Sequence, residues 1–182
     1  MKSLVKIFVG ILSVFFTGET IFAQIEKGKI EFSTAASFMS RKYEYSEEAW
    51  TSINVPIRLG YFITENIEIE PELFFTKYKE DEVGFMAIGN VAFNFIPSGE
   101  NGKAIPFLLG GFGYGNSGTF LPNFLMPGSE DETWTLLNIG GGVKMFIADP
   151  VALRFEYKLQ KLMGDTDATY HFVLTGISLF FE

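Results

Sequence analysis

The stretch Ile53-Asn54-Val55-Pro56-Ile57-Arg58-Leu59-Gly60-Tyr61 is followed, after a short break, by Ile67-Glu68-Ile69-Glu70-Pro71-Glu72-Leu73-Phe74-Phe75. In both, the odd positions are apolar, and Arg58, Glu68, Glu70 and Glu72 fall on even ones. A period of two belongs to an extended strand, whose successive side chains point to opposite faces. The pattern returns in Val151, Leu153, Phe155, Tyr157 and Leu159, between which stand Arg154, Glu156 and Lys158. No charge enters the apolar register of these stretches, so one face of the sheet is made for surroundings that exclude charge.

The break between the first two stretches fixes their pairing. Directly opposed residues share a face, so a slip of one residue would put apolar side chains opposite charged ones. A connection through Thr64, Glu65 and Asn66, with Ile63 paired to Ile67, keeps the apolar sets together. Asn66 is expected at the left-handed position that asparagine tolerates. Arg58 then stands opposite Glu72, so the register that suits the turn also pairs opposite charges.

Carried along the chain, this reading predicts eight strands, over 28–39, 51–62, 67–76, 84–96, 104–115, 133–147, 151–160 and 170–181. Each is close to the roughly 9–11 residues with which a tilted strand crosses a bilayer. The connections 40–50, 116–132 and 161–169 are long, 77–83 and 97–103 middling, and 63–66 and 148–150 short. Short turns at one end and longer loops at the other describe an up-and-down bacterial barrel, with both termini on the periplasmic side. Pro56, Pro71 and Pro106 fall inside strands and are expected to mark bulges or strand ends, because a closed barrel has no edge to excuse them. In 106–115, Phe112 and Tyr114 are expected outward, and Gly111, Gly113 and Gly115 inward.

Three observations turn the charged face inward. It also carries Gly60, Gly140, Gly142, Gly176, Ser33 and Ser178, small enough for the interior of a narrow barrel. Its charges nearly balance, Arg58, Lys144, Arg154 and Lys158 against Glu31, Glu68, Glu70, Glu72 and Glu156, as a desolvated interior requires. The expected ion-pair network comprises Arg58, Glu68, Glu70, Glu72, Lys144, Arg154, Glu156 and Lys158. Finally, Trp50, Tyr78, Trp134 and Tyr170 lie near loops, and Tyr61, Phe95 and Phe181 near turns, as aromatics at the two membrane interfaces would. The expected fold is all-β: an eight-stranded antiparallel up-and-down transmembrane β-barrel.

Composition agrees. The 182 residues suit one domain. Residues 1–23 read as a cleaved signal peptide: Lys2 and Lys6, an apolar core over 7–16, a polar break, and Ala23 before a cut ahead of Gln24. That leaves 24–182 as the barrel domain. Removing a segment of net charge +1 from a chain of −8 leaves −9, which argues against a nucleic-acid partner. The chain has no cysteine, hence no disulfide framework, no thiolate chemistry and no lipid attached to an N-terminal cysteine. Beyond the leader no apolar run is long enough for a transmembrane helix. Yet 21 Phe and 47% apolar residues are many for a small acidic exported domain, a conflict that a membrane surrounding resolves.

Several runs resemble the small outer-membrane β-barrel proteins of the OmpA/OmpX-like type. They are Pro56-Ile57-Arg58-Leu59-Gly60-Tyr61-Phe62 with Asn66-Ile67-Glu68-Ile69-Glu70-Pro71-Glu72, the segment from Pro106-Phe107 to Gly111-Phe112-Gly113-Tyr114, Asn138-Ile139-Gly140-Gly141-Gly142-Val143-Lys144, and the ending Gly176-Ile177-Ser178-Leu179-Phe180-Phe181. The resemblance covers essentially all of 24–182. It implies outer-membrane lipid and the barrel insertion machinery as partners, and a porin-like or surface-exposed setting. It leaves activity open, since that family spans adhesins and structural proteins. Family members often end in Phe; here Glu182 follows Phe181.

Candidate chemistry is sparse. The glycines of 110–115 and 140–142 open no helix and precede no Gly-Lys-Ser/Thr, so barrel packing explains them better than phosphate binding. His171 is the only histidine. No serine lies two residues away, and an interfacial histidine is a better reading than a hydrolase centre. Glu130-Asp131-Glu132 and Asp165-Thr166-Asp167 lack the spacing of a calcium loop and read as solvated loop tips. We therefore expect no enzyme activity, cofactor or metal. The expectation is a monomer of the bacterial outer membrane, structural or recognising an extracellular ligand through loops 40–50 and 116–132. The competing readings are a narrow pore, a lipid-modifying enzyme, and a soluble lipocalin-like carrier with the two faces inverted.

Overall fold

The computed structural model describes residues 25–42, 49–78, 83–96, 103–116, 133–163 and 168–182. The leader read over 1–23, the acidic tips at 130–132 and 165–167, and most of loops 40–50 and 116–132 lie outside them. Eight strands form one closed barrel in chain order: β1 (Ile30–Lys42), β2 (Ala49–Phe62), β3 (Ile67–Tyr78), β4 (Val83–Asn94), β5 (Ala104–Asn116), β6 (Thr133–Ala148), β7 (Val151–Met163) and β8 (Ala168–Phe181). Every neighbouring pair is antiparallel, and β1 closes on β8 from Ile30 opposite Phe181 to Ala36 opposite Thr175.

The expected registers hold. Arg58 faces Glu72, and Ile63 N donates to Ile67 O at 2.9 Å across the β2–β3 turn. The turn itself closes differently from the expectation. No non-glycine residue among those described has a positive φ, so Asn66 is not left-handed. Instead Thr64 Oγ1 accepts from Asn66 N at 3.2 Å and from Ile67 N at 2.9 Å, which replaces the left-handed residue with a side-chain cap. Asn66 Nδ2 is then directed to Asn94 O, at 2.8 Å, tying this turn to the end of β4. At the start of the barrel Gly28, at φ 94°, makes the tight entry that lets its N–H reach Phe62 O at 2.8 Å.

The prolines also differ in part from expectation. Pro106 does stand at a ladder end, one residue past the last β4–β5 pair, Asn94 with Phe107. Pro56 and Pro71 mark neither a bulge nor an end. The β1–β2 ladder simply skips from Thr34–Ile57 to Ser37–Asn54, and the β2–β3 ladder from Arg58–Glu72 to Tyr61–Ile69, in unchanged register. A missing N–H thus costs a local gap rather than a slipped strand. The register shift recorded lies between Phe146 and Ala148 in β6, where the chain enters the tight turn to β7.

The strands at the loop end run further than the alternation of apolar residues. β7 reaches Met163 and β8 begins at Ala168, so the connection expected over 161–169 shrinks to 164–167. Backbone pairing continues where the apolar face stops, because ladder hydrogen bonds do not depend on what the side chains meet.

Face assignment is unambiguous. In β4 exposed and buried residues alternate without a break from Val83 to Asn94. Val173 is 72% exposed while its neighbour Leu174 is fully buried. Apolar side chains, among them Leu59, Val91, Leu108, Phe112, Tyr114 and Ile139, cover the outside, and the charged register points in. In β5, Gly113 and Gly115 are buried and Gly111 half-buried, with Phe107 and Leu109 also inside. The inverted arrangement of a soluble carrier is not the one this chain adopts.

Candidate functional site: the barrel interior and its rim

Strands β1, β2, β3, β6 and β7 each place charged side chains on their inward positions, and closure of the sheet brings them to one level. Arg58 Nε donates to Glu72 Oε2 at 2.7 Å, and its Nη2 to Glu156 Oε1 at 3.2 Å. Lys158 Nζ donates to both oxygens of Glu72, at 2.6 and 2.9 Å, and lies 3.3 Å from Glu156. Arg154 is the hub. Its Nη1 and Nη2 grip Glu70 at 2.5 and 3.2 Å, Nε reaches Glu156 at 3.0 Å, and Nη1 also reaches Glu31 at 3.2 Å. Lys144 donates to Glu31 and, at 2.7 Å, to Glu68. The eight residues expected in the network are thus brought together, with Glu31 joining them as the bridge between Lys144 and Arg154. All nine side chains are buried.

Neutral polar groups extend this layer. Asn138 Nδ2 donates to Asn90 Oδ1 at 2.8 Å, Asn90 Nδ2 to Glu72 at 3.2 Å, Asn94 Nδ2 to Glu68 at 3.2 Å, and Ser178 Oγ to Glu31 at 2.6 Å. Glu31, Glu68 and Glu70 have carboxylate oxygens close enough to share a cation. Lys144 and Arg154 already stand in that place, so the chain itself supplies two positive charges against these three carboxylates.

Apolar layers seal the charges from both ends, a feature the sequence reading did not anticipate. At the turn end, Ile25, Phe62, Ile105, Phe146, Ala152 and Phe180 form one buried cluster. At the loop end, Phe74, Met86, Ile88, Leu136, Leu162, Phe172 and Leu174 pack with Ala35. The signal was available: Phe62, Phe74, Phe146, Phe172 and Phe180 share the even register of the charged residues. The two kinds of layer meet through cation–π contacts. Lys144 Nζ lies 5.3 Å from the Phe62 ring centre and 5.4 Å from that of Phe107, Arg154 Cζ 4.5 Å from Phe107, and Lys158 Nζ 5.8 Å from Phe74. Ion pairs, amides and aromatic rings together fill the section that a pore would need open.

On the outside, Tyr61, Phe95 and Phe181 are exposed near the turn end, where Phe93 and Phe95 meet edge to face at 5.0 Å. Tyr170 departs from the expected outward belt. It is half-buried, stacks on Phe172 at 6.2 Å and packs against the apolar cluster of the loop end. Its even number in β8 places it on the inward register with Phe172 and Leu174. The side chains of Trp50, Tyr78 and Trp134 lie outside the described residues. His171 stands exposed on the outer wall, with its Nδ1 2.5 Å from Tyr157 Oη.

A closed eight-stranded barrel with an apolar exterior and a filled, charged interior defines the class of the small transmembrane β-barrels. Two solved structures share the fold. The N-terminal β-barrel domain of OprF from Pseudomonas aeruginosa superposes with a TM-score of 0.56 at 16% identity, over 85% of this chain and 98% of that one. Neisserial surface protein A (NspA) superposes with a TM-score of 0.58 at 15% identity, over 83% and 95%. The OmpA/OmpX-like resemblance read from the sequence is thereby shown at the level of fold, that of the outer-membrane eight-stranded barrels. No protein-family description matches the chain, and no curated protein matches it in sequence.

Proposed function

We propose that this protein is an integral barrel of the bacterial outer membrane that acts as a structural or surface-recognition protein through its external loops, and that it does not serve as a transport pore. The observation that carries this reading is the opposition of the two faces. The exterior is a continuous apolar wall, fit for hydrocarbon. The interior is closed in three successive layers, apolar, ionic and apolar. Opening the middle layer would separate buried charges, each separation leaving an uncompensated ion at several kcal/mol. With the lumen filled, the surface left for recognition is the loop end, above all 40–50 and 116–132. The fold shared with a Neisserial surface protein supports the same reading.

The test combines two measurements on the full chain. An epitope inserted in 116–132 should be detected on intact cells of a strain that exports the protein. Purified protein in planar bilayers should give no large, steady conductance. Stable channels of porin size would replace this reading with the pore, and an epitope reached only after lysis would remove the surface role.

A further inference from the structure

The outer wall of β7 and β8 carries an apolar belt with a defined upper edge. Outward residues of β7 run Val151, Leu153, Phe155, Tyr157, Leu159 and then Lys161. Those of β8 run, from the turn end, Phe181, Leu179, Ile177, Thr175, Val173 and then His171 and Thr169. His171 pairs with Leu159, and Lys161 with Thr169 one step above. His171 therefore lies at the rim of the belt, about 5 Å below the level of Lys161 for a strand tilted as in such barrels. That depth is where hydrocarbon gives way to the oxygen-bearing part of a lipid.

Tyr157 points its hydroxyl up the wall to His171, and among the described residues Tyr157 Oη to His171 Nδ1 at 2.5 Å is the one hydrogen bond either side chain makes. Counting hydrogens exposes a surplus. A neutral imidazole brings one N–H and the phenol one O–H, and the shared bond uses only one of them. A charged imidazole would leave more. Whatever the tautomer, at least one polar hydrogen on this pair has no partner among the described residues. The phenol is the better donor and the imidazole nitrogen the better acceptor, so Tyr157 Oη donates to Nδ1 and the surplus hydrogen sits on Nε2. At the edge of the hydrocarbon a polar hydrogen that the protein leaves unpaired calls for an acceptor from the surroundings, and lipid oxygens lie at that depth.

We propose that His171, oriented by Tyr157, is a lipid-binding site whose Nε2–H donates to the acyl-ester carbonyl oxygen of a lipid in the loop-side leaflet. The proposal rests on the membrane location proposed above. Tyr157 acts as the positioning residue: its hydroxyl fixes the tautomer and so keeps the donor on the nitrogen that faces the lipid.

Because His171 is the single histidine, labelling histidine with nitrogen-15 reports this site alone. The full chain is folded into vesicles of diester phosphatidylcholine carrying carbon-13 in the ester carbonyls, and magnetisation transfer from Nε2–H is read by solid-state NMR. Transfer to the labelled carbonyl is expected. In matched vesicles of ether-linked phosphatidylcholine, which keep the phosphate and lack the carbonyl, the Nε2 resonance should shift. Tyr157→Phe should weaken the transfer at least about twofold, because the tautomer is no longer fixed. Inserted protein with no transfer and no shift between the two lipids would overturn the site while leaving the barrel intact. Contact with phosphorus alone would overturn the carbonyl assignment. A chain that never enters the vesicles would overturn the membrane reading and this site with it.

Discussion

Replacing Arg154 by Met tests the interior most severely, because this guanidinium holds three carboxylates at once. Methionine roughly fills its stem and removes its charge. Two of the carboxylates keep other partners: Glu31 retains Lys144 and Ser178, and Glu156 retains Lys158 and Arg58. Glu70 does not fare as well. It loses both bonds of the bidentate grip and is left with Arg58 Nε at 3.6 Å, beyond hydrogen-bond distance. Removing one partner of a buried ion pair costs about 3–5 kcal/mol, and one stranded carboxylate places Arg154→Met within that range. Adding Glu70→Gln removes the stranded charge, so the double variant should recover more than half of the loss. Urea unfolding of protein folded in lipid vesicles, followed by the fluorescence of Trp50 and Trp134, gives the comparison. A loss under about 1 kcal/mol for Arg154→Met, or a double variant as unstable as the sum of the singles, would refute the view of the interior as one coupled network.

Three further outcomes follow from the same geometry. Phe155 lies midway along the apolar belt of β7 and Leu153 nearer its turn end, so Phe155→Arg should cost about 2–4 kcal/mol in vesicles and Leu153→Arg less, and an equal cost at both depths would contradict the belt. Gly60 has no room for a side chain, since an added Cβ would lie 2.8 Å from Glu68 Cδ and overlap its carboxylate. Gly60→Ala should push Glu68 off Lys144 and cost about 1–3 kcal/mol, measured by the same unfolding assay, with an unchanged midpoint as the contrary result. Gln160 is buried with neither end of its amide hydrogen-bonded, so Gln160→Met should leave stability unchanged or raise it by about 1 kcal/mol, whereas a clear loss would mean that the amide has a partner.

The two-residue period carried most of the architecture. It located all eight strands, the faces, and the pairing of Arg58 with Glu72, because a barrel wall exposed to different surroundings on its two sides must alternate. Strand ends at the loop side were less readable: beyond Lys77 and Lys161 the side chains no longer report which face they line, although the ladder goes on. Asn66 and the two mid-strand prolines show the limit of local rules. A threonine hydroxyl replaced the left-handed turn residue, and ladder gaps absorbed Pro56 and Pro71, both choices made by neighbouring strands. In the interior, charge balance foretold the ion pairs but not the apolar seals. Phe74 and Phe172 stand on different strands, 5.3 Å apart, and only closure of the barrel turns two isolated inward rings into a layer. Tyr170 was misread for the same reason, its position near a loop suggesting a rim aromatic while its register sends it inside.

The central claim is that this chain spans a bilayer as a closed barrel, and flotation with lipid tests it most directly. Full-length protein refolded with phosphatidylcholine vesicles and spun through a density gradient should float with the lipid. Its strands should resist protease, and it should migrate differently on an SDS gel before and after boiling. Recovery of a monodisperse, protease-resistant protein at the bottom of the gradient, soluble without detergent, would contradict the account.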